Sequence, residues 1–398
     1  MEKSQILGYI NKSYENNALH FAVYDEIEGG LPNEIEKLIN IRSLTLNDNL
    51  LKSLPKGIGK LVNLNEIDLD INQIKKIPKE IGNLINLKDL RINFNKLISL
   101  PKELGKLENL EILLLSSNNI NTLPIEIFNL RKLKIFDFSG NSINFLPKEI
   151  KNLVDLEDLA LDYNPIISLP KELGELKNLR TISLLVWTLS CSISILKSLE
   201  NLEFLTVFGG DFSEYILDIS ELVNLECLNL FSRTPQKLKI NSDIQKLIKL
   251  KYLEIKLEID SELFLPKEIG NLINLNSLSL NASKIKKLPR ELEKLINLER
   301  LNLTSPNLKE FPLEITNISN IKYLNLSNNQ LVKIPKEIKN LKNLKNLSLY
   351  NNRIKKIPDE LLNLEKLEKL EIANNLIPEK EINRIKKEYP HLKIILDI

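Results

Sequence analysis

The sequence predicts an α/β solenoid: a right-handed horseshoe with a parallel β-sheet on its concave side and short helical or 3-10 turns on its convex side. Three features lead there. The chain aligns on itself with a period of 23 residues, a length at which one unit makes one turn of a coil. Inside each unit an alternating apolar stretch is followed by a turn signal and then by a short helical signature. Burial also has to rest on aliphatic side chains, because 43% of the residues are hydrophobic but only 6% are aromatic. A chain of 398 residues would ordinarily divide into about two or three domains, but a coil lengthens without enlarging any single core.

Residues 64–86 read LNEIDLDINQIKKIPKEIGNLIN and residues 87–109 read LKDLRINFNKLISLPKELGKLEN. Apolar residues fall at unit positions 1, 4, 6, 11, 14, 18 and 21, with Asn at 9 and Pro at 15. The frame starts at Ala18, Ile41, Leu64, Leu87, Leu110, Leu133, Leu156, Leu179, Leu202, Leu225, Leu250, Leu275, Leu298, Ile321, Leu344 and Leu367, sixteen units counting partial ones, with those from Leu225 and Leu250 stretched to 25 residues.

Positions 4 and 6 alternate with polar 3, 5 and 7, the period of a half-buried strand. Asn72 or Asn95 at position 9 ends that strand, and its amide suits bonds to turn backbone that repeat from unit to unit. Pro at 15 and Glu at 17, as in Pro78-Lys79-Glu80, fit the first turn of a short helix. Proline needs no donor there, and a carboxylate favours the positive helix end. No unit buries its apolar side alone, so each Leu contributes its roughly 1.5–3 kcal/mol only when neighbours stack.

The motif LxxLxLxxN-x-L/I-xx-L/I-P-xx-I/L-xx-L-xN, seen at residues 41–178 and 321–366, resembles the leucine-rich-repeat family, and the resemblance covers about residues 18–398. The Leu-Pro-x-x-Ile/Leu half is similar to an intracellular and bacterial subclass that includes Ras-binding scaffold proteins. The resemblance implies a non-catalytic protein-recognition module that uses its concave strand face.

The expected organisation is an N-terminal helical cap at 1–17, the array at 18–377, and a helix–strand cap at 378–398. Ile6, Ile10 and Tyr14 recur every four residues and predict a helix that turns them inward; Ile382 and Ile385 do the same near the other end. Leu392, Ile394 and Leu396 then alternate as a closing strand would.

The pattern breaks at 179–274. Position 9 is Asn from Asn49 to Asn164, then becomes Trp187, Gly210, Arg233, Glu258, Ser283 and Pro306 before Asn returns at Asn329, Asn352 and Asn375. The Pro at 15 is lost from the units at Leu179, Leu202 and Leu225. Drift in tolerant loops is one reading; a functional departure from local rules is the other.

The concave positions favour function. Asp68, Asp70, Asp89, Asp137, Asp158 and Asp162, together with Glu66, face only Arg91, whereas the next stretch carries Leu185, Phe204, Phe208, Phe231 and Tyr252, with Trp187 close by at position 9. Acids steer a partner and aromatic groups anchor it, so the expected partner is a protein with a basic and apolar surface. The competing readings are a solvated polar sheet face for the acids and local packing for the aromatics.

Other functions find little support. With 55 basic against 53 acidic residues, a net charge of +2 gives no pull toward nucleic acid or an anionic membrane. His20 and His391 stand at opposite ends, so no Ser-His-Asp or Cys-His site assembles. Metal-ligand spacing is absent, although an acidic patch binding Ca²⁺ weakly, or a glycan-binding repeat, stays as an alternative. Gly57-Ile58-Gly59-Lys60 is explained by the repeat frame without the phosphate-loop spacing. Asp68 and Asp70 stand roughly 7 Å apart by strand rise, but no cleft or apolar pocket is expected to separate their pKa values. No cofactor is expected, and the chain is expected to be a monomer. Two cysteines, Cys191 and Cys227, make no disulfide framework, and from the polar start no secretory leader is expected. A cytoplasmic address is expected, with an effector exported by another route as the alternative.

Overall fold

The computed structural model describes residues 3–24, 27–185, 193–210, 212, 219–285 and 287–396, and the chain falls into two compact units, Met1–Leu202 and Glu203–Ile398. Both are built from the same coil.

In the first unit the strands His20–Ala22, Ser43–Thr45, Glu66–Asp68, Asp89–Arg91, Ile112–Leu114, Ile135–Asp137, Asp158–Ala160 and Thr181–Leu185 pair in chain order, all parallel. Each begins at repeat position 3, so Asp89 lies opposite Ile112 and Ile112 opposite Ile135. In the second unit Phe204–Gly209, Cys227–Ser232, Tyr252–Lys256, Ser277–Asn281, Arg300–Thr304, Tyr323–Asn325, Asn346–Ser348 and Lys369–Glu371 continue in the same manner. Every predicted repeat therefore places a strand where the alternation put it.

The other side of each coil is a five-residue 3-10 turn, such as Lys79–Asn83, with Glu80 in its first turn. Proline sits one residue earlier than the sequence implied. Pro78 caps the turn in extended backbone (φ −67°, ψ 145°), and its carbonyl accepts the Ile81 N–H at 3.1 Å. Proline satisfies its fixed φ there while donating nothing. The turn lacks the length for an α-helix, because Leu84 must already lead toward the next strand.

Leu64, Ile67, Leu69, Ile74, Ile77, Ile81 and Leu84, all seven apolar positions of one repeat, are buried. Close packing of successive turns also requires Gly82: a Cβ there would lie 2.5 Å from the backbone oxygen of Glu103 in the next repeat.

Asparagine closes both corners of the coil. At position 9, the Asn72 Oδ1 accepts the Leu51 N–H at 2.9 Å, and its Nδ2 donates to the Leu46 carbonyl at 2.8 Å, both one repeat back. Asn95 repeats this with Ile74 and Leu69. A second row, the closing Asn of the repeat motif, runs at position 23: Asn63, Asn86 and Asn109 donate Nδ2 to the carbonyls of Ile39, Val62 and Ile85, respectively, at 2.9 Å. In these repeats backbone groups at both corners of a turn are thereby bonded by side chains of its neighbour.

The irregular repeats of the second unit keep these bonds with other residues. Gln236, buried, accepts the Phe212 N–H at 2.8 Å and donates to the Gly210 carbonyl at 2.9 Å. Buried Ser261 accepts the Gln236 N–H, and buried Ser305 donates to the Ser283 carbonyl. The asparagines are lost but much of their bonding is not. Strands here run five or six residues instead of three, and a side sheet of Lys237–Lys239, Glu262–Phe264 and Lys284–Ile285 forms.

The N-terminal helix Lys3–Glu15 buries Ile6 and Ile10 as expected. Tyr14 is instead 57% exposed, because it lies in the final helical turn, just before the chain leaves through Asn17 at φ 50°. Near the other end Glu379–Glu388 buries Ile385 and leaves Ile382 half-buried. The strand Lys393–Ile395 then pairs with Lys369–Glu371.

Candidate functional site

Positions 3, 5 and 7 of each strand point away from the core, and they form a separate face on each unit. On the first unit, the carboxylates are more engaged than a solvated strip would be. The Asp70 carboxylate accepts the Asn93 N–H at 2.6 Å and the Asn93 Nδ2 at 3.1 Å. Burial pushes its pKa up, although the Asn93 bonds pull the other way. Asp68 accepts the Asp70 N–H at 3.0 Å, so these two acids are fixed by turn bonding. Asp89 holds Arg91 through Nε at 3.0 Å and Nη2 at 2.6 Å, which raises the arginine pKa further. Asp137 accepts the N–H and hydroxyl of Ser139 at 2.9 and 2.7 Å. Asp162 accepts the Ser183 hydroxyl. Burial raises the pKa of both Asp158 and Asp162, with the Asp137 charge adding to each.

Between these acids lies an apolar island that the sequence reading passed over. Ile112 and Ile135 sit side by side at position 3, between Asp89 and Asp158; Leu114 sits at position 5 between Arg91 and Asp137. All three are half-buried.

Beside this face runs a row at position 8, where the backbone is left-handed: Ile71 (φ 55°), Phe94 (φ 52°), Ser117 (φ 55°), Gly140 (φ 63°) and Tyr163 (φ 55°). Such backbone costs roughly 1–2 kcal/mol for a residue with a Cβ and suits Gly or Asn. Asn328, Asn351 and Asn374 do occupy the equivalent places in the second unit. Yet Ile71 is 51% and Phe94 59% exposed, so neither recovers that cost by full burial. The signal was present in the sequence as bulky apolar residues immediately before the turn asparagine.

On the second unit Phe204 and Tyr252 are 40% and 47% exposed and flank Cys227 in one row. Phe208 and Phe231 are half-buried rather than exposed, since their rings stack on each other at 5.1 Å and 25°. That pairing is worth about 0.5–1.5 kcal/mol beyond area. The Cys227 thiol is half-buried, and burial pushes its pKa up, away from nucleophile chemistry. Further along, the Arg300 guanidinium lies 4.4 Å from the Tyr323 ring centroid. Leu185 is half-buried at the end of the first unit's last strand, and Trp187 and Cys191 lie outside the described residues.

With this geometry in place, the comparisons with known proteins are direct. A leucine-rich repeat region model matches residues 79–232, and a leucine rich repeat model matches residues 319–377. A leucine-rich-repeat protein of Leptospira interrogans is 32% identical, with 98% of each chain covered and a TM-score of 0.69. The chain belongs to the leucine-rich-repeat family. A plant peptide hormone receptor is 28% identical over 88% of this chain and 58% of its own, with a TM-score of 0.63. An internalin of Listeria monocytogenes shares the fold at 23% identity, 84% and 88% coverage and a TM-score of 0.61. No curated protein matches by sequence.

The leucine-rich-repeat coil explains where side chains are offered. Among the described residues no group of His, Cys, Asp and Glu is placed to hold a metal ion, and no helix is long and apolar enough to cross a membrane. What the strand faces offer is shape, apolar area and charge, the means of recognition used by binding scaffolds of this family.

Proposed function

We propose that this leucine-rich-repeat protein is a non-catalytic scaffold that binds a partner protein through its strand faces, as part of an intracellular signalling assembly. The observation that carries the reading is the first unit's face, where Glu66, Asp68, Asp70, Asp89, Asp137, Asp158 and Asp162 outnumber Arg91 around half-buried aliphatic side chains. Half-buried carboxylates whose pKa is raised are stabilised by an arriving cation, and aliphatic groups among them reward an apolar one. The partner surface is therefore basic and apolar. The plant relative is a peptide hormone receptor, which supports a polypeptide as the bound species. On the second unit, exposed Phe204 and Tyr252 and the Phe208–Phe231 stack are the anchors for the same class of partner.

Affinity capture with the purified chain, followed by mass spectrometry, tests this. Paired Asp137→Asn and Asp158→Asn substitutions are expected to remove partners with basic surfaces, and paired Phe204→Ala and Tyr252→Ala substitutions, at exposed side chains, to lower recovery at unchanged melting temperature. Equal recovery by all variants would sink the reading. We also infer a cytoplasmic address, supported by only two cysteines in 398 residues; cell fractionation finding the protein outside the cytoplasm would overturn it.

A further inference from the structure

The first unit's face and its position-8 ridge together make a notch. Across five consecutive repeats the ridge reads Ile71, Phe94, Ser117, Gly140 and Tyr163, so two small residues stand between two aromatic ones. The ridge keeps step with the sheet, because Phe94 donates its N–H to Ser116, Ser117 to Ser139 and Gly140 to Asp162, all at 2.9 Å. Strand spacing of about 4.8 Å puts Phe94 and Tyr163 roughly 14 Å apart, the width of one extended or helical segment. Behind the notch, in the same two repeats, position 7 holds the small Ser116 and Ser139, and beyond them lie Ile112, Leu114 and Ile135. A low, partly apolar lane thus runs along the strands from the gap in the ridge to the apolar island. Asp137 stands in its floor, opposite Leu114 and between Ile135 and Ser139, and its flanks are charged: Asp89 on one side, Asp158 and Asp162 on the other.

We propose that this lane seats a single polypeptide segment of alternating basic and apolar side chains, entering between Phe94 and Tyr163 and lying on Ile112, Leu114 and Ile135. The proposal rests on the recognition reading above and names the occupant of that face. Charge complementarity selects the segment, since Asp137 stands in the lane and Asp158 and Asp162 beside it, whereas Asp89 is already held by Arg91. The ridge supplies the walls. Phe94 shows that the left-handed backbone of this row holds a phenylalanine, so the notch is open because of its side chains and not because of backbone limits.

A fluorescein-labelled twelve-residue peptide of alternating Lys and Leu is the probe, read by fluorescence anisotropy against peptides alternating Lys with Ser and Glu with Leu. The Lys/Leu peptide is expected to bind at least tenfold more tightly than either control. Ser117→Phe closes the notch without touching a carboxylate or the island, and is expected to weaken binding at least tenfold. Phe94→Asn removes a wall while placing a residue suited to this backbone, and is expected to weaken binding with melting temperature unchanged or raised. Unchanged or tighter binding by Ser117→Phe overturns the lane while leaving the acidic-face reading intact. Equal binding of the Lys/Leu and Glu/Leu peptides overturns that broader reading as well. Sedimentation showing self-association that Ser117→Phe abolishes would assign the notch to a second copy of the chain and overturn the proposal too.

Discussion

The regular repeats at 41–178 and the irregular repeats at 203–320 form the same coil by different local means. In the regular repeats the strand stops after three residues, position 8 turns left-handed, and an asparagine at position 9 bonds back to the preceding turn. In the irregular repeats the strand continues for five or six residues, and position 8 turns inward, burying Ser232, Leu257, Ala282 and Ser305. The Asn ladder is therefore one solution to a more general demand. Each turn must give its buried N–H and C=O groups a partner from the next, and Gln236, Ser261 and Ser305 meet that demand without it.

The comparison is sharpest when one bond-maker is removed from each kind of repeat. Asn95→Ala leaves the Ile74 N–H without its side-chain partner, while the Leu69 carbonyl still accepts the Asn72 Nδ2 at 3.1 Å; about 1–3 kcal/mol is expected for the orphaned group. Gln236→Ala is expected to cost about as much, because it likewise orphans one N–H, that of Phe212, while the Gly210 carbonyl still accepts the Ser232 hydroxyl at 3.0 Å. Urea unfolding midpoints compare the two, and a clearly larger loss for Asn95→Ala would mean that the asparagine ladder carries a weight its substitutes do not.

Gly82→Ala probes the close packing of the regular repeats. Its new Cβ would meet the Glu103 backbone oxygen at 2.5 Å, so a destabilisation of about 1–3 kcal/mol is expected from overpacking. A neutral result by thermal melting would show that the turns separate at little cost.

The smallest effect concerns acid titration on the first unit's face. Burial raises the folded-state pKa of Asp158 above its ordinary value of 3.8. Between the unfolded and folded pKa values the folded chain binds the extra proton, so this group's contribution to stability falls as pH rises through that window. Asp158→Asn is accordingly expected to raise the melting temperature at pH 7, with the gain disappearing below about pH 3.8. A variant that is less stable at pH 7 would place Asp158 among the groups that hold the fold. The expected sign fits a carboxylate kept for recognition at a cost to stability.

Legibility varied with the physical scale of each feature. The strands, the short turns and the core leucines are legible, because a 23-residue period repeats each of them many times; the proline is displaced by one residue, from the first turn to its cap. Tyr14 was misplaced, since four-residue spacing says which face a residue shares but not where its support ends. Among the proposed binding residues, Phe208 and Phe231 had been taken as separately exposed and instead cover each other. Asp70, which the sequence offers as an acid for a partner, also ties down Asn93. Ile112, Leu114 and Ile135 escaped notice because one aliphatic residue on a strand face carries little meaning until parallel register sets three of them together.

Sequence by itself determined the coil: periodic apolar residues cannot leave water unless successive turns stack, and stacking turns of equal length admits one architecture. Tertiary structure alone decided which exposed groups are free to meet a partner. That depends on neighbours a full repeat away, on whether a carboxylate already holds a backbone N–H, and on which small residues line up to leave a lane between larger ones.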